Sequence, residues 1–236
     1  MTKYVIASSK EWFELTETNL KSKKDFIYLE KKEQLNRENL EKIEPRYIFL
    51  PHWNWLIDEE IYNNFECIVF HTAPLPYGRG GSPIQNLIIR GFNDAPVCSL
   101  RVDGTLDGGP IYLKQNVSLL GSLSQIFNRI NLCINEQIKE IIHNEISPKQ
   151  QEGEVVTFKR RKALDNEIPE NSNFNEFYNR VRMLDHPEYP NSYIQHGNLR
   201  IEFESCFLDN ALEDIILSTA FLMINSGFFP FIISLK

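Results

Sequence analysis

Short apolar runs alternate with polar stretches of helical period through the first half of the chain. Lys3 to Ala7, Phe26-Ile27-Tyr28-Leu29, Tyr47-Ile48-Phe49-Leu50, Cys67-Ile68-Val69-Phe70 and Val97-Cys98-Ser99-Leu100-Arg101-Val102 are too short for helices and rich in β-branched or aromatic side chains. They predict buried strands. Between them, Ser8 or Ser9 would cap a helix from about Lys10 to Leu20. Asn36 to Glu41 reads as a polar helix with Pro45 beyond its end, and about Asp58 to Asn63 as a short one. Ser82-Pro83 has the N-cap and first-turn chemistry of a helix running to about Arg90, where Gly91 stops it. This alternation predicts an α/β fold: a mainly parallel, Rossmann-like sheet with helices on both faces.

From Ser122 to Asn144, Ile126, Ile130, Cys133, Ile134, Ile138, Ile141 and Ile142 recur at spacings of three and four, which predicts a long amphipathic helix. Glu154 to Phe158 reads as a strand, Lys159-Arg160-Arg161-Lys162 as a basic run, and Phe174 to Leu184 as a helix. Tyr193-Ile194-Gln195 and Leu199 to Glu204 flank His196-Gly197-Asn198 as a β-hairpin, whose second arm alternates apolar and charged. The division expected is a main domain over 1–150 and an extension over 151–236 carrying the basic loop, the helix and the hairpin. In the tail, Ile215 to Leu235 is mostly apolar but broken by Ser218, Thr219, Asn225, Ser226, Gly227 and Pro230. A membrane helix needs about 20 nearly continuous apolar residues. No membrane segment is therefore expected, and the tail predicts a helix followed by a strand.

The formal charge of −7 argues against a protein whose main task is to hold nucleic acid. Cys67, Cys98, Cys133 and Cys206 form no C-x-x-C pair, and no His/Cys cluster has zinc spacing. Buried free thiols in a reducing, cytoplasmic compartment are the simplest reading. Lys10 and Glu11 come too early for a signal peptide. There is no Walker pattern, no G-x-G-x-x-G after a strand and no nucleophile elbow.

The chemistry gathers between Cys67 and Leu113. One strand delivers His71 to its end, and Pro74 to Gly81 follow as a Pro- and Gly-rich loop that cannot continue it. A turn after the next strand presents Asp107, 36 residues beyond His71. A histidine and a carboxylate at two strand ends suit proton transfer at a reacting group.

His71, Leu75-Pro76, Arg79-Gly80-Gly81, Pro83-Ile84-Gln85 and Leu106-Asp107-Gly108-Gly109 resemble the folate-dependent formyltransferases. The resemblance is strong over about 65–115 and weaker, but continuous, from the N-terminus to about Phe203. Within that superfamily, Pro76-Tyr77-Gly78-Arg79-Gly80-Gly81-Ser82-Pro83-Ile84-Gln85 is similar to the nucleotide-sugar N-formyltransferase branch. The resemblance implies N10-formyltetrahydrofolate as donor and a nucleotide-linked amino sugar as acceptor, with a UDP-linked 4-amino-4,6-dideoxy sugar favoured. It implies catalytic roles for His71 and Asp107. Leu75, Pro76, Gly78, Arg79 and Gly80 would lie beside the folate, and Arg101, Val102, Asp103, Gly104 and Thr105 would line the pterin slot. Trp53 and Tyr77 would stack on a ring, and Lys159, Arg160 and Arg161 would clamp a diphosphate. A homodimer through the hairpin is expected, with no nucleic-acid partner. One position departs from the pattern. The family usually carries an oxyanion-stabilising Asn two residues before the histidine, where this chain has Val69. Asn54, or His52, is the expected substitute. The rival readings are a methionyl-tRNA formyltransferase-like enzyme and a non-catalytic folate or nucleotide-sugar binding protein.

Overall fold

The computed structural model describes residues 2–10, 12–13, 15, 25–208, 216–224 and 227–235, with side chains described as far as Ser205. The chain divides into two compact units. The first comprises Met1–Pro83, Ala95–Val117 and Arg129–Phe158. Its strands are β1 (Lys3–Ala7), β2 (Phe26–Leu29), β3 (Pro45–Leu50), β4 (Cys67–Thr72), β5 (Tyr77–Gly80), β6 (Asp94–Arg101), β7 (Ile111–Ser118) and β8 (Val156–Phe158). Six of them form one sheet in the order β2-β1-β3-β4-β6-β7. β1 is parallel to β2 and β3, and β3 to β4, but β6 runs antiparallel to β4. The expected parallel core is present, with a reversal beside the strand that carries His71.

Tyr4 to Ala7 and Tyr47 to Leu50 are buried at every position, as strands covered on both faces must be. Val5, Ala7, Ile48 and Leu50 share an apolar cluster with Leu40 and Ile43 of α1 (Arg37–Ile43) and Ile61 of α2 (Glu59–Tyr62). Each such side chain contributes roughly 1.5–3 kcal/mol by leaving water. The sequence places α1 well: the Asn36 side chain accepts a hydrogen bond from the Asn39 N–H, and Glu44 ends the helix in a left-handed conformation. The long helix α4 (Leu123–Asn144) buries Ile130, Cys133, Ile134, Ile138 and Ile141 along one face. Gln137 lies buried on that same face because its Nε2 donates to the Val97 carbonyl of β6 at 2.8 Å. The segment expected to be a plain loop after β4 is not one: β5 pairs in parallel with β8. The helix expected over about 10–20 lies largely outside the described residues.

The second unit comprises Ile84–Asp94, Ser118–Asn128 and Lys159–Lys236. It holds α3 (Pro83–Ile89) and α5 (Phe174–Arg182). It also holds β9 (Ser192–His196), β10 (Leu199–Leu208), β11 (Ile216–Ile224) and β12 (Gly227–Leu235). The four strands form an antiparallel sheet in the order β12-β11-β10-β9. The β9–β10 hairpin is as expected. Ile201 and Phe203 of β10 pack with Ile168, Phe177 and Val181, while Arg200 and Glu202, on the other face, pair at 2.8 Å. The tail departs from expectation. It forms two strands, not a helix and a strand, and so extends the hairpin into a sheet. The open edge of β10 supplies the ladder that decides between these forms, pairing Arg200 with Met223 through Leu208 with Ile216. Pro230 falls on β12, the edge strand, where a missing N–H is tolerated. Among the described residues no helix is long and apolar enough to cross a membrane.

Cys67, Cys98 and Cys133 are free and buried, and the side chain of Cys206 lies outside the described residues. Burial pushes the Cys67 thiol up to about 12 and those of Cys98 and Cys133 up to about 11. At pH 8 a thiol near 11 is only ~0.1% thiolate. These three cysteines are expected to resist a thiol-specific disulfide reagent at pH 8 in the native protein and to react fully in urea. Rapid native labelling of any of them, mapped by peptide mass spectrometry, would contradict this packing.

Candidate functional site

The site described here lies within the first unit. His71 is the fifth residue of β4, with only 8% of its surface exposed, and stands opposite Cys98 of β6. Asp107 belongs to the loop between β6 and β7. Because β6 runs against β4, Arg101 at its end is paired with Ile68, three residues back from His71. The loop must therefore return about 10 Å along the sheet, at the rise of an extended strand. Local bonds make it turn. The Asp103 carboxylate accepts from the Thr105 N–H at 3.0 Å, the Thr105 carbonyl from the Gly108 N–H at 3.0 Å, and the Pro110 carbonyl from the Arg101 N–H at 2.9 Å. Asp107 itself adopts a left-handed φ of 48°. Gly109 is required: a Cβ there would fall 1.8 Å from the Arg101 carbonyl oxygen.

The β5 segment closes over the pair. His71 Nε2 meets the Gly78 carbonyl at 2.7 Å, and the Gly80 N–H donates to Asp107 Oδ2 at 2.8 Å. The same oxygen lies 3.5 Å from His71 Nδ1. A carbonyl only accepts, so Nε2 carries a hydrogen and donates it to Gly78. Nδ1 then faces the carboxylate. Asp107 Oδ2 is doubly engaged, which leaves Oδ1 as the oxygen for an incoming group or a water.

β5 is held by its partner strand. The Gly81 N–H donates to the Phe158 carbonyl at 3.1 Å, and the Tyr77 and Phe158 rings meet edge to face at 5.4 Å. Gly78 and Gly80 have φ of 91° and 96°, and a Cβ on Gly80 would lie 2.6 Å from the Phe158 carbonyl oxygen. Leu75 and Pro76 are buried, and the Leu75 carbonyl accepts from Lys114 Nζ at 2.7 Å.

The structure thus brings Gly78 and Gly80 to the His71–Asp107 pair, and Arg79 to it through Gln151; Leu75 and Pro76 lead into β5, and Arg101, the last residue of β6, and Val102 to Thr105 precede Asp107 in the chain. Trp53 packs on the apolar cluster shared with Val69 and Val102, and its ring meets Trp55 at 4.8 Å. The Trp53 indole N–H is buried without a hydrogen-bond partner. Asn54 is exposed after β3, and His52 is bound through Nε2 to Asn131 Oδ1 at 2.8 Å. Val69 stands between Leu50 and Leu100 in the sheet register. In the second unit, Lys159 and Arg160 are exposed, whereas Arg161 is turned back onto the Asp165 carbonyl, with burial lowering its pKa. Among the described residues no group of three or more His, Cys, Asp or Glu side chains is placed to hold a metal ion.

Sequence reasoning passed over Gln151. Its Oε1 accepts from Arg79 Nε and Nη2 at 3.1 and 2.8 Å, and its Nε2 donates to the Asp107 and Gly109 carbonyls at 2.8 and 2.9 Å. Nothing in the polar run Gln150-Gln151-Glu152 distinguishes one amide from its neighbour.

The chain matches the formyl transferase family over residues 6–132, more than half of its 236 residues. It matches the family described as methionyl-tRNA formyltransferase, C-terminal domain, over residues 163–216. It is similar to the methionyl-tRNA formyltransferase of Thermodesulfovibrio yellowstonii, 28% identical over 153 residues, which are 61% of this chain and 50% of that protein. The chain spans about half the length of the curated relatives it matches. It is also similar to the solved methionyl-tRNA formyltransferase from Clostridium thermocellum, with a TM-score of 0.84 and 34% identity, covering 94% of this chain and 99% of that one. A 4-N formyltransferase from Francisella tularensis shares the fold at a TM-score of 0.60 and 16% identity, covering 83% and 93%.

The two substitutions Gly80→Ala and Gly91→Ala separate backbone strain from collision. Gly91 has φ 82° with open space around it, so alanine there is expected to cost about 1 kcal/mol. Gly80→Ala adds the clash with Phe158 and is expected to cost at least about 2 kcal/mol in urea titration. Equal costs would mean that β5 does not approach β8 as described.

Proposed function

The chain belongs to the formyl transferase family, and we propose that it moves a formyl group from N10-formyltetrahydrofolate to an amine. The observation that carries this reading is the Asp107 carboxylate held by the Gly80 N–H, 3.5 Å from His71 Nδ1. When bound, the folate donor supplies an electrophilic formyl carbon. The attacking amine must lose a proton, and Asp107 Oδ1 is the oxygen available to take it, directly or through a water; as the new C–N bond forms the formyl C–N10 bond would break, and that proton would pass on to N10 of the departing tetrahydrofolate. His71, between Asp107 and the Gly78 carbonyl, would orient the carboxylate and, in its protonated form, would help to stabilise the formyl oxygen as that gains negative charge.

The residues suit a flat heteroaromatic donor. A buried donor without an acceptor costs about 1–3 kcal/mol. The Trp53 indole N–H is such a donor, in the cluster that includes Val102 of the segment expected to line the pterin slot. A ring with acceptor atoms beside Arg101 to Thr105 would satisfy it. Val69 cannot supply the amide donor usual in the family, and Asn54 is assigned that role here.

For the acceptor, the names of the relatives favour methionyl-tRNA, which brings back a nucleic-acid partner that the net charge had argued against. A nucleotide-linked amino sugar, such as a UDP-4-amino-4,6-dideoxy sugar, is the second reading. It is favoured by the Pro76-to-Gln85 segment, by the charge of −7 and by the exposed Lys159 and Arg160.

Mass-spectrometric assay with N10-formyltetrahydrofolate, methionyl-tRNA and a panel of nucleotide-linked amino sugars tests both. Formylation of one acceptor class is expected, lowered about 10²–10⁴-fold in His71→Ala and Asp107→Asn. Asn54→Ala is expected to lose about 10²–10³-fold. Wild-type turnover in His71→Ala would remove the catalytic reading of the pair, and wild-type turnover in Asn54→Ala would remove Asn54 alone.

A further inference from the structure

We propose that Gln151 is a positioning residue that holds Asp107 in register with His71 and ties that register to Arg79; this rests on the reading of His71 and Asp107 as the proton-handling pair. A primary amide has two hydrogens to donate and one oxygen with two lone pairs. Gln151 uses all four. Both Nε2 hydrogens go to carbonyls, those of Asp107 at 2.8 Å and Gly109 at 2.9 Å. Both lone pairs of Oε1 take the fork of Arg79, at 3.1 Å from Nε and 2.8 Å from Nη2. The amide has one sensible orientation. Flipping it would set its oxygen against two carbonyl oxygens and its NH2 against the guanidinium.

The consequence falls on Asp107. Its left-handed φ of 48° is a conformation that a non-glycine residue keeps only when its surroundings impose it. The Gly80 N–H grips the side chain through Oδ2, and Gln151 grips the backbone through the carbonyls of Asp107 and Gly109. Gly109 is itself pressed against Arg101, with no room for a Cβ. The carboxylate is therefore held at both ends of the residue. The 3.5 Å approach to His71 follows from that double hold, not from the strand geometry, which points the two chain segments in opposite directions. Arg79 lies next to Gly80 in the chain and shares the same amide, so β5 and the Asp107 loop are cross-linked twice. A displacement of the reacting groups by about 1 Å can cost 10²-fold in rate.

Two substitutions test this by different chemistry. Gln151→Glu keeps an acceptor for Arg79 but sets an oxygen against the two carbonyls. Gln151→Met keeps the length and removes all four bonds. Each is compared with wild type, Asp107→Asn and His71→Asn. One readout is the ring-nitrogen NMR signals of His71, assigned by their loss in His71→Asn. The other is the kinetics of formyl transfer to the acceptor identified above. Both Gln151 variants are expected to shift the His71 ring signals part of the way toward those of Asp107→Asn. They are expected to lower kcat by roughly 10- to 100-fold while KM for N10-formyltetrahydrofolate stays within about threefold. Adding Gln151→Glu to Asp107→Asn is expected to cost little more, because the two changes act through one group. His71 signals at their wild-type positions in both folded variants, or a fully additive double variant, would overturn the proposal. If instead His71→Asn and Asp107→Asn keep full turnover while the Gln151 variants still shift the ring signals, the catalytic reading fails and the positioning of Asp107 by Gln151 stands.

Discussion

A carboxylate has to lie beside an imidazole although the strands that lead to them run in opposite directions. β4 carries His71 forward, and β6 carries the chain away from it before Asp107 is reached. The rest of the first unit answers this mismatch. The loop after β6 turns back through short-range bonds at Asp103, Thr105 and Pro110, and Gly109 lets it press on the Arg101 carbonyl. The Gly80 N–H and the Gln151 amide then hold the returned residue. Each of these hydrogen bonds contributes only about 1 kcal/mol net, and a strained left-handed residue costs of the order of 1–3 kcal/mol. Several bonds are needed where one would not suffice, and several are present.

The β5–β8 ribbon has the same logic at closer range. Two backbone groups reach the pair, the carbonyl of Gly78 on His71 and the N–H of Gly80 on Asp107. Both positions have positive φ, and a Cβ would collide at Gly78 with the Phe158 ring and Ala73 and at Gly80 with the Phe158 carbonyl oxygen, which is why both are glycine. Phe158 then supports the ribbon from behind with its carbonyl and its ring. On this side the contacts that orient His71 and Asp107 thus come from main chain.

On the other side the surroundings are apolar. Val69 sits between Leu50 and Leu100, and Trp53 leaves its N–H buried and unpaired. Low polarity strengthens the hydrogen bonds made there and makes any unpaired donor costly. Such a site sets the reaction type more firmly than the acceptor. Acceptor choice belongs to surfaces around the site, and a shared fold does not decide it.

Short apolar runs marked the strands β1 to β4 and β6, cap and stop residues marked α1 and α3, and burial of one face wrote a repeat into α4 and the second arm of the β9–β10 hairpin; α5 was legible as well. Residue chemistry and the spacing around the glycine-rich loop singled out His71 and Asp107. Besides β5, expected as a loop, and β7, not expected at all, three things were left to the tertiary structure. Strand direction is invisible in a short apolar run, so the antiparallel turn between β4 and β6 had no local signature. The run from Ile216 to Leu235 has side chains that suit several forms, and it became strands because the edge of β10 offered a ladder to pair with. Gln151 is one amide in a polar stretch with no period. Its importance comes entirely from carbonyls and a guanidinium contributed by residues 42 to 72 positions away, and only the folded chain brings those together.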